Sequence, residues 1–406
     1  MVRATIDRVL ALADASDPIV VCSAAHRDIV ASELRAAGCT PRLILEPFGR
    51  NTAPAVAFAA LASDPEDVLI VVPADHLIPD SASFASATTE AVALARRQRL
   101  VTFGVIPTHP ETGYGYIRTG DRLTGTAYEL QEFVEKPDLK TANDYVDSGK
   151  YLWNSGMFAL CSDVYLDQLA RHAPKISLAV NETWASTRHE ADGSIVLDAT
   201  AFEKCPSKSI DYAVMEHTTR GAVVPLDAGW TDVGSWNAVW EVTAKDSLGT
   251  ATVGDVRVTD VRNSYVRSDG PLVAVAGVSD IVIVATDDAV LVVPRTQPQR
   301  MKDVLNDLQN LDRDELTVHR VTEHLWGSMR QLTADGAVVM MTINAGSTVH
   351  EDATPLGTYV IQSGEVTISE SIYTPGDTYA MMTARAVEAH AGLPARIVVT
   401  HTEGHS

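Results

Sequence analysis

Along the first two-thirds of the chain, apolar and polar positions follow a helical period and a strand-like period in turn. Helical spacing predicts helices over residues 3–14, 26–37, 52–61 and 84–97. Short apolar or β-branched runs predict strands over residues 18–22, 42–45, 68–72 and 100–105. Short strands separated by helices are typical of βαβ units and a parallel sheet. We therefore expect ligands to bind beyond the carboxyl ends of these strands.

The pattern changes near residue 246, where helical spacing gives way to short β-branched runs. From Gly254 to Pro294 these runs alternate with Gly, Asp and Asn turns, which predicts a small all-β unit of the β-helix or prism kind. Residues 301–311 predict a connecting helix, and residues 317–402 predict short strands with Gly-rich turns, as in a small β-barrel. We therefore divide the chain into domains at residues 1–245, 246–312 and 313–406.

Composition and charge restrict the classes of partner. The 406 residues are 46% hydrophobic and 21% charged, which is typical of a globular protein, and the formal net charge is −21. A field of that sign repels nucleic acid and anionic membranes, so we expect neither as a partner. The four cysteines show no metal-binding spacing, and no apolar run reaches the roughly 18 residues of a membrane span. These features indicate a reduced, cytoplasmic protein.

Two aspartates each follow a run that predicts a buried strand. Asp75 stands in VVPADH and Asp232 in AGWTDVGSW. Two carboxylates at strand ends can hold one Mg²⁺ against phosphate oxygens, and Lys136 in FVEKP can neutralise a second phosphate. Phosphoryl and nucleotidyl transfer have these requirements. Each motif alone has an ordinary alternative, since strand-end aspartates often cap turns and Glu135 can form an exposed ion pair with Lys136.

Three further segments carry groups that suit a nucleotide or a sugar. In EPFGRNTAPA, Glu46 can accept from the N–H donors of guanine, and Asn51 or Thr52 can cap a helix whose free N–H groups attract phosphate. In ETGYGYI the glycines allow close approach of a ligand, which the tyrosines can flank. In WNSGMF, Asn154 can bind sugar hydroxyls. A capped helix, a tight turn with packed aromatics and a buried, satisfied Asn are the structural alternatives.

These segments together resemble the bacterial mannose-1-phosphate guanylyltransferases, especially the long form that also carries mannose-6-phosphate isomerase activity. The matching strings are EPFGRNTAPA, PADH, ETGYGYI, FVEKP, WNSGMF, SIDYAVME and GWTDVGSW, in that order. Without the others, SIDYAVME would predict only a capped helix with structural acids. The resemblance implies an α/β, Rossmann-like nucleotidyltransferase domain with a mixed sheet, then a small all-β unit and a degenerate cupin-like β-barrel. The implied reaction converts GTP and mannose 1-phosphate into GDP-mannose and pyrophosphate.

The resemblance also implies a role for each matching residue. Asp75 and Asp232 would hold Mg²⁺, and Lys136 would contact the sugar phosphate and offset charge in the transition state. The residues implied for substrate binding are Glu46, Asn51, Thr52 and Ala53 for the guanine nucleotide, and Gly115, Tyr116, Glu135 and Asn154 for the mannose. A homo-oligomer is consistent with the resemblance.

The sequence departs from the family at its start. Family members open with a strand and a Gly-rich loop of the type G-G-x-G-x-R-L-x-P that cradles the triphosphate, and Met1 corresponds to the helix after that loop. We expect either an N-terminally truncated chain or one that has lost its activity. In both cases we expect a protein of this sequence to be a poor catalyst. The strands beside the missing one should expose apolar edges.

A second departure lies in the part that resembles the isomerase. The family's metal-binding pattern there is of the Q-x-H-x-H-R-x-E-H-W type, whereas this sequence has HEDATPLGTY at residues 350–359. The paired His and the Glu are missing, and His350 alone does not make a zinc site, which needs roughly three or four placed ligands. We therefore predict no isomerase activity.

Three functions remain open from the sequence. A guanylyltransferase is the leading hypothesis. The alternative is a non-catalytic GDP-mannose-binding or regulatory paralogue, which keeps the sugar and base contacts but lacks the phosphate loop. The third is a related pyrophosphorylase for another sugar or nucleotide, and the strings EPFGRNTAPA and WNSGMF argue against it.

Overall fold

Two compact units, Met1–Val233 and Gly234–Ser406, make up the protein. The computed structural model describes residues 1–297, 300–311, 313, 319–324, 326–333, 337–350, 355–381, 383 and 385–401. The helices of the first unit are α1 (Val2–Leu10), α2 (Arg27–Ala36), α3 (Thr52–Leu61), α4 (Ser81–Ala95), α5 (Leu139–Ser148), α6 (Ser162–His172), α7 (Pro174–Ala185) and α8 (Ala199–Glu203), with a 3-10 turn at Ala24–His26 and a π-helical turn at Asp211–Met215. Its strands are β1 (Ile19–Ser23), β2 (Arg42–Glu46), β3 (Val68–Val71), β4 (Leu100–Val105), β5 (Gly115–Arg122), β6 (Tyr128–Glu135), β7 (Tyr151–Cys161), β8 (Arg188–His189), β9 (Ile195–Val196) and β10 (Gly221–Leu226).

The strands of the first unit form two sheets, with the orders β1-β2-β9-β8 and β3-β7-β4-β10-β6-β5. β1 and β2 are parallel, as are β4 and β10, but β7 runs antiparallel to both β3 and β4. The parallel pairing expected from the local pattern therefore holds for only some of the strands, and the mixed sheet that the resemblance implies is confirmed. The helices and strands predicted up to residue 105 all occur close to their predicted bounds.

A cavity of about 1550 Å³ is lined by residues of both β1 and β3. Each of these strands is the end strand of its sheet, and their side chains are only partly buried. The exposure of apolar strand edges stays a prediction. The lining continues to Pro73, His76, Gly156 and Asp211. The cavity thus extends to the carboxyl end of β3, where the predicted carboxylate site lies.

Two buried clusters stabilise the six-stranded sheet. One contains Phe58 and Tyr165, and the other contains Phe84 and Phe103. Burial of a large side chain contributes about 1.5–3 kcal/mol, so each cluster is a substantial part of the stability. The Tyr165 hydroxyl also donates to the carbonyl of Ala53 at 2.8 Å. The core thereby fixes the first turn of α3, which carries the predicted nucleotide contacts.

Local sequence signals set the ends of the helices nearest the site. The side chain of Asn51 accepts the N–H of Thr52 and caps α3. Asp138 caps α5 by accepting the N–H of Thr141, and α5 is followed by its C-cap Gly149, whose φ of 63° suits glycine. The connection between β6 and α5 is therefore short, and Lys136 lies in it.

The second unit is mainly β-structure. Its helices are α9 (Trp236–Val242) and α10 (Arg300–Asn310), and its strands are β11 (Ala251–Thr259), β12 (Tyr265–Ala276), β13 (Ile281–Ala285), β14 (Val290–Pro294), β15 (Val321–His324), β16 (Gly327–Gln331), β17 (Val338–Ile343), β18 (Thr348–Val349), β19 (Gly357–Ser363), β20 (Val366–Ile368), β21 (Ser371–Tyr373), β22 (Thr378–Met381), β23 (Val387–Ala389) and β24 (Ala395–His401). β11, β12 and β13 pair in parallel, as in a β-helix, and β14 closes the sheet antiparallel to β13. Trp236 of α9 stacks on Tyr265 of this sheet. This helix therefore packs against the sheet of the second unit, and the domain boundary at residue 245 stays a prediction.

The remaining strands form the predicted cupin-like part. Two antiparallel sheets, with the orders β15-β16-β17-β24-β19-β22 and β18-β23-β20-β21, share one buried core. The predicted domain boundary at residue 312 lies outside the described residues. So do residues 351–354 of the segment that lacks the family's metal-binding pattern. In the part of the chain that the structure describes, no helix is long and apolar enough to cross a membrane.

Candidate active site

A short antiparallel bridge brings together the loops that carry Asp75 and Asp232. Leu77 and Thr231 exchange two backbone hydrogen bonds of 3.0 Å each, so the two aspartates lie beside the same bridge. The His76 side chain is close to both. Burial lowers the pKa of the His76 imidazole, and the charges of Asp75 and Asp232 oppose that shift. The loops thus place two carboxylates at one edge of the sheet.

The two carboxylates differ in their surroundings. The Asp75 side chain is 77% exposed, and its Oδ1 lies 3.9 Å from Nε2 of His76. Oδ1 of Asp232 accepts a hydrogen bond from the Tyr114 hydroxyl at 2.8 Å. Burial, and then this contact, raises the pKa of the Tyr114 phenol, so the phenol remains a donor. Carboxylate oxygens suit a hard cation such as Mg²⁺. Among the described residues, no group of three or more His, Cys, Asp and Glu could hold a metal ion.

Backbone conformations that L-residues rarely adopt occur beside these groups. Val233 has φ of 51° and Lys136 has φ of 48°. The N–H of Val233 donates to the Thr231 hydroxyl at 3.1 Å, and the N–H of Lys136 donates to the Tyr114 carbonyl at 3.2 Å. Such conformations cost about 1–3 kcal/mol each and persist only where the surrounding structure fixes them. These backbone conformations help to set the directions in which the side chains of Asp232 and Lys136 point.

Gly115, Glu135 and Asn154 converge at the start of β5. Gly115 pairs with Glu135 across β5 and β6. A Cβ atom on Gly115 would lie 2.6 Å from Oε2 of Glu135 and 3.3 Å from Cβ of Asn154, so a side chain there would displace the Glu135 carboxylate. Nζ of Lys136 lies 3.4 Å from Oε1 of Glu135, and the lysine side chain is 64% exposed. These two side chains therefore form the ion pair of the structural alternative, and the exposure of Lys136 leaves room for a phosphate beside it.

The amide of Asn154 is held by the protein. Its Oδ1 accepts from the N–H of Gly156 at 3.2 Å and from the Thr102 hydroxyl at 3.3 Å. Its Nδ2 donates to Oδ1 of Asp211 at 3.0 Å. Among the described residues, no partner is found for the second Nδ2 hydrogen. The satisfied-Asn alternative and a sugar contact are thus compatible.

At the start of α3, most groups predicted to bind the nucleotide are engaged within the protein. Oδ1 of Asn51 accepts the N–H of Thr52 at 2.8 Å, and the N–H of Ala53 donates to the Lys208 carbonyl at 3.2 Å. The Thr52 hydroxyl accepts the N–H of Ile210 at 2.9 Å. These contacts correct the expectation of free N–H groups in this turn. The capped-helix alternative describes these residues, and their contact with the nucleotide stays a prediction.

Glu46, in contrast, carries an unsatisfied oxygen. Its Oε1 is buried and finds no hydrogen-bond partner among the described residues. Burial raises the pKa of Glu46 to about 7. Burial also raises the pKa of the neighbouring Cys22 and Cys205 thiols to about 11, so both remain neutral. An orphaned buried acceptor costs about 1–3 kcal/mol, which a ligand with N–H donors would recover.

Tyr114 and Asp211 are functional candidates that the sequence analysis missed. The Tyr116 side chain, predicted to contact substrate, is fully buried, and its hydroxyl accepts the N–H of Glu111 at 2.9 Å. Tyr116 has entered β5, which leaves Tyr114 to reach Asp232. The capped helix predicted for SIDYAVME is a π-helical turn without a side-chain cap, and its first residue, Asp211, bonds Asn154 instead. No signal within either segment distinguishes these residues from their neighbours.

The chain is similar to known proteins over most of its length. Residues 1–248 match the nucleotidyl transferase family, and residues 254–308 match the MannoseP isomerase/GMP-like beta-helix domain. The mannose-1-phosphate guanylyltransferase of Escherichia coli K12 is 40% identical over 400 residues, which cover 92% of this chain and 83% of that protein. A Vibrio cholerae protein named as a putative mannose-1-phosphate guanylyltransferase is 44% identical over 330 residues, 80% of this chain and 70% of its own.

Solved structures show the same relationship. A Thermus thermophilus protein described as a mannose-1-phosphate geranyltransferase superposes with a TM-score of 0.65 at 32% identity. The match covers 76% of this chain and 89% of that one. The nucleotidyl transferase match alone spans more than half of the chain. The chain therefore belongs to the nucleotidyl transferase family and, within it, to the mannose-1-phosphate guanylyltransferases.

Proposed function

We propose that this protein transfers the guanylyl group of GTP to mannose 1-phosphate and releases pyrophosphate. One observation carries the proposal, namely that Tyr114 joins the two halves of the site. Its hydroxyl bonds Asp232, and its carbonyl accepts the N–H of Lys136. Asp232 and Lys136, from distant parts of the sequence, are thereby both hydrogen-bonded to one residue. This arrangement suits two phosphates that must meet in line.

The chain's own residues have distinct tasks in this reaction. A phosphate oxygen of mannose 1-phosphate attacks the α-phosphorus of GTP, and the bond from that phosphorus to the pyrophosphate oxygen breaks. Lys136 would offset the negative charge of the sugar phosphate and of the transition state. Glu135 and Asn154, close to the Gly115 backbone, would hold the sugar hydroxyls. Orientation of both substrates is the main contribution that we assign to these groups.

We propose Asp75 and Asp232 as the residues that hold Mg²⁺. The donor set fits because both ligands are carboxylates at one sheet edge and the Asp75 side chain is largely exposed. When bound, the ion would supply positive charge beside the phosphate oxygens. In a chain with a net charge of −21, a GTP site needs such local positive charge.

Product formation tests the proposed function. We expect purified protein with GTP, mannose 1-phosphate and Mg²⁺ to release GDP-mannose and pyrophosphate in equal amounts. Glucose 1-phosphate and UTP serve as control substrates and should react poorly. Binding of GDP-mannose without turnover would contradict the proposal and support the non-catalytic alternative. That alternative is not favoured, since relatives over most of the chain are named as transferases.

Other properties remain predictions. We expect the protein to act in the cytoplasm, where GTP and sugar phosphates are made. A homo-oligomer and the absence of isomerase activity are likewise predictions that the described residues leave open. Conversion of mannose 6-phosphate to fructose 6-phosphate by the purified protein would contradict the last of these.

Replacing Glu46 with glutamine should make the protein more stable but a poorer guanine binder. The pKa of Glu46 is raised from 4.5 to about 7 in the folded state. Its contribution to stability is therefore present below pH 4.5 and lost as the pH rises through about 7. Glutamine carries no charge to bury, so Glu46→Gln should raise Tm at pH 8, and this difference should vanish near pH 4.5.

Guanine binding is measured with two nucleotides. ITP lacks the 2-amino group of GTP, so the parent protein should prefer GTP, and Glu46→Gln should lose most of that preference because it lacks the charged acceptor. The matched control is Glu66→Gln, since Glu66 is exposed. An unchanged ratio of kcat/KM for GTP and ITP would show that Glu46 does not contact the base.

A further inference from the structure

Asp211 lies between the residues proposed to bind the sugar, near Asn154, and the start of α3, which is predicted to bind the nucleotide. Its Oδ1 accepts from Nδ2 of Asn154, and it lines the same cavity as Gly156. The residue before it, Ile210, donates its N–H to the Thr52 hydroxyl at the start of α3. The π-helical turn that Asp211 opens is therefore tied to α3 on one side and to β7 on the other.

The surroundings of Asp211 make it an acceptor that faces the sugar side. The charge of Glu135 acts on it, since burial first and then Glu135 raise the pKa of Asp211 to about 6. The Glu135 side chain is 19% exposed. Two carboxylates therefore lie near the Asn154 amide, and of these two Asp211 is the one that accepts a hydrogen bond from it.

The geometry of Asn154 depends on that acceptor. An asparagine amide can turn over, because its oxygen and nitrogen ends occupy nearly the same space. A carboxylate accepts but cannot donate, so it selects the orientation in which Nδ2 faces Asp211. The N–H of Gly156 fixes the other end of the amide at Oδ1. With both ends set, the second Nδ2 hydrogen has one direction.

We propose that Asp211 is a positioning residue for sugar recognition, which holds the Asn154 amide so that its second N–H meets a sugar hydroxyl. This inference rests on the proposed function, because it takes the sugar of mannose 1-phosphate to be the ligand that Asn154 binds. Asp211 acts through Asn154, so its removal should impair sugar binding more than nucleotide binding. If the role of Asp211 were purely structural, its removal would weaken the binding of both substrates and lower the stability of the fold.

Four variants test the proposal, namely Asp211→Ala, Asp211→Asn, Asn154→Ala and the double variant with alanine at both positions. We expect Asp211→Ala to raise KM for mannose 1-phosphate about tenfold, as for one lost hydrogen bond to a charged group. KM for GTP should change less than about twofold. Asp211→Asn keeps an acceptor oxygen and should recover most of the loss. In the Asn154→Ala background, the change at Asp211 should add little, because the partner is absent.

Direct binding separates this proposal from the proposed function. Calorimetric titration with mannose 1-phosphate needs no turnover and is made on the same four variants and the parent, with Tm measured alongside. Sugar-phosphate binding without turnover would contradict the transferase function alone. Binding that Asp211→Ala leaves unchanged, or additive effects of the two alanine substitutions, would overturn the positioning role alone. If Asp211→Ala does not fold, a full loss of sugar binding in folded Asp211→Asn would also overturn it.

Discussion

Replacing Lys136 with alanine is expected to lower kcat about 10²–10³-fold while the protein stays folded. The Lys136 side chain is 64% exposed, so the loss of its ion pair with Glu135 should change Tm little. Its effect on the reaction is larger because charge develops on the phosphates as the new bond forms. The measurement is GDP-mannose formation at saturating substrates, together with Tm.

The control for this variant lies on the next helix. Lys140→Ala removes an exposed lysine from α5, four positions along the chain, and should leave kcat unchanged. Lys136→Arg should recover only part of the rate, because the planar guanidinium does not reproduce a point charge on this strained backbone. A kcat of Lys136→Ala equal to that of the parent would show that Lys136 serves only as a surface partner of Glu135.

The local pattern predicted the elements of the first unit but not how they pair. Period and turn residues indicated β3, β4 and α3 close to their observed bounds. The direction of β7 was not indicated, because an apolar strand has the same pattern whether its neighbours are parallel or antiparallel. The sheet became mixed through long-range pairing of β7 with β3 and β4.

The sequence indicated which residues belong to the candidate site better than it indicated which contacts they make. Each aspartate was expected to end a buried strand. Asp75 lies in the loop after β3, and Asp232 lies in a loop beside the isolated bridge of Thr231, so the run before Asp232 is not a strand. The bridge between Leu77 and Thr231 depends on backbone groups, which carry no residue-specific signal. The N–H of Ala53 was expected to be free, and it is taken by Lys208 from a distant loop. Satisfaction of buried polar groups is a property of the whole fold, so local sequence cannot supply it.

Replacing Asp232 with asparagine is expected to reduce kcat/KM on the order of 10³-fold, because it removes one of the two charges proposed to hold Mg²⁺. The fold should survive, since the asparagine oxygen can still accept the hydrogen bond from the Tyr114 hydroxyl. A neutral amide is a weaker ligand for a hard cation, so the variant should also require more Mg²⁺ for half-maximal activity. Turnover measured across a Mg²⁺ series reports both effects.

The same loop offers a matched control, because Asp227 is an exposed carboxylate a few residues before Asp232. Asp227→Asn changes the net charge equally, so it should keep the activity and the Mg²⁺ requirement of the parent. Asp75→Asn should reproduce the defect of Asp232→Asn, and the double variant should be little worse than either, since one missing ligand already disables a shared ion. If Asp232→Asn kept full activity at the parent's Mg²⁺ requirement, the two carboxylates would not hold the ion together, and the proposed mechanism would be wrong on this point. Additive losses in the double variant would instead mean that the two aspartates act on different steps.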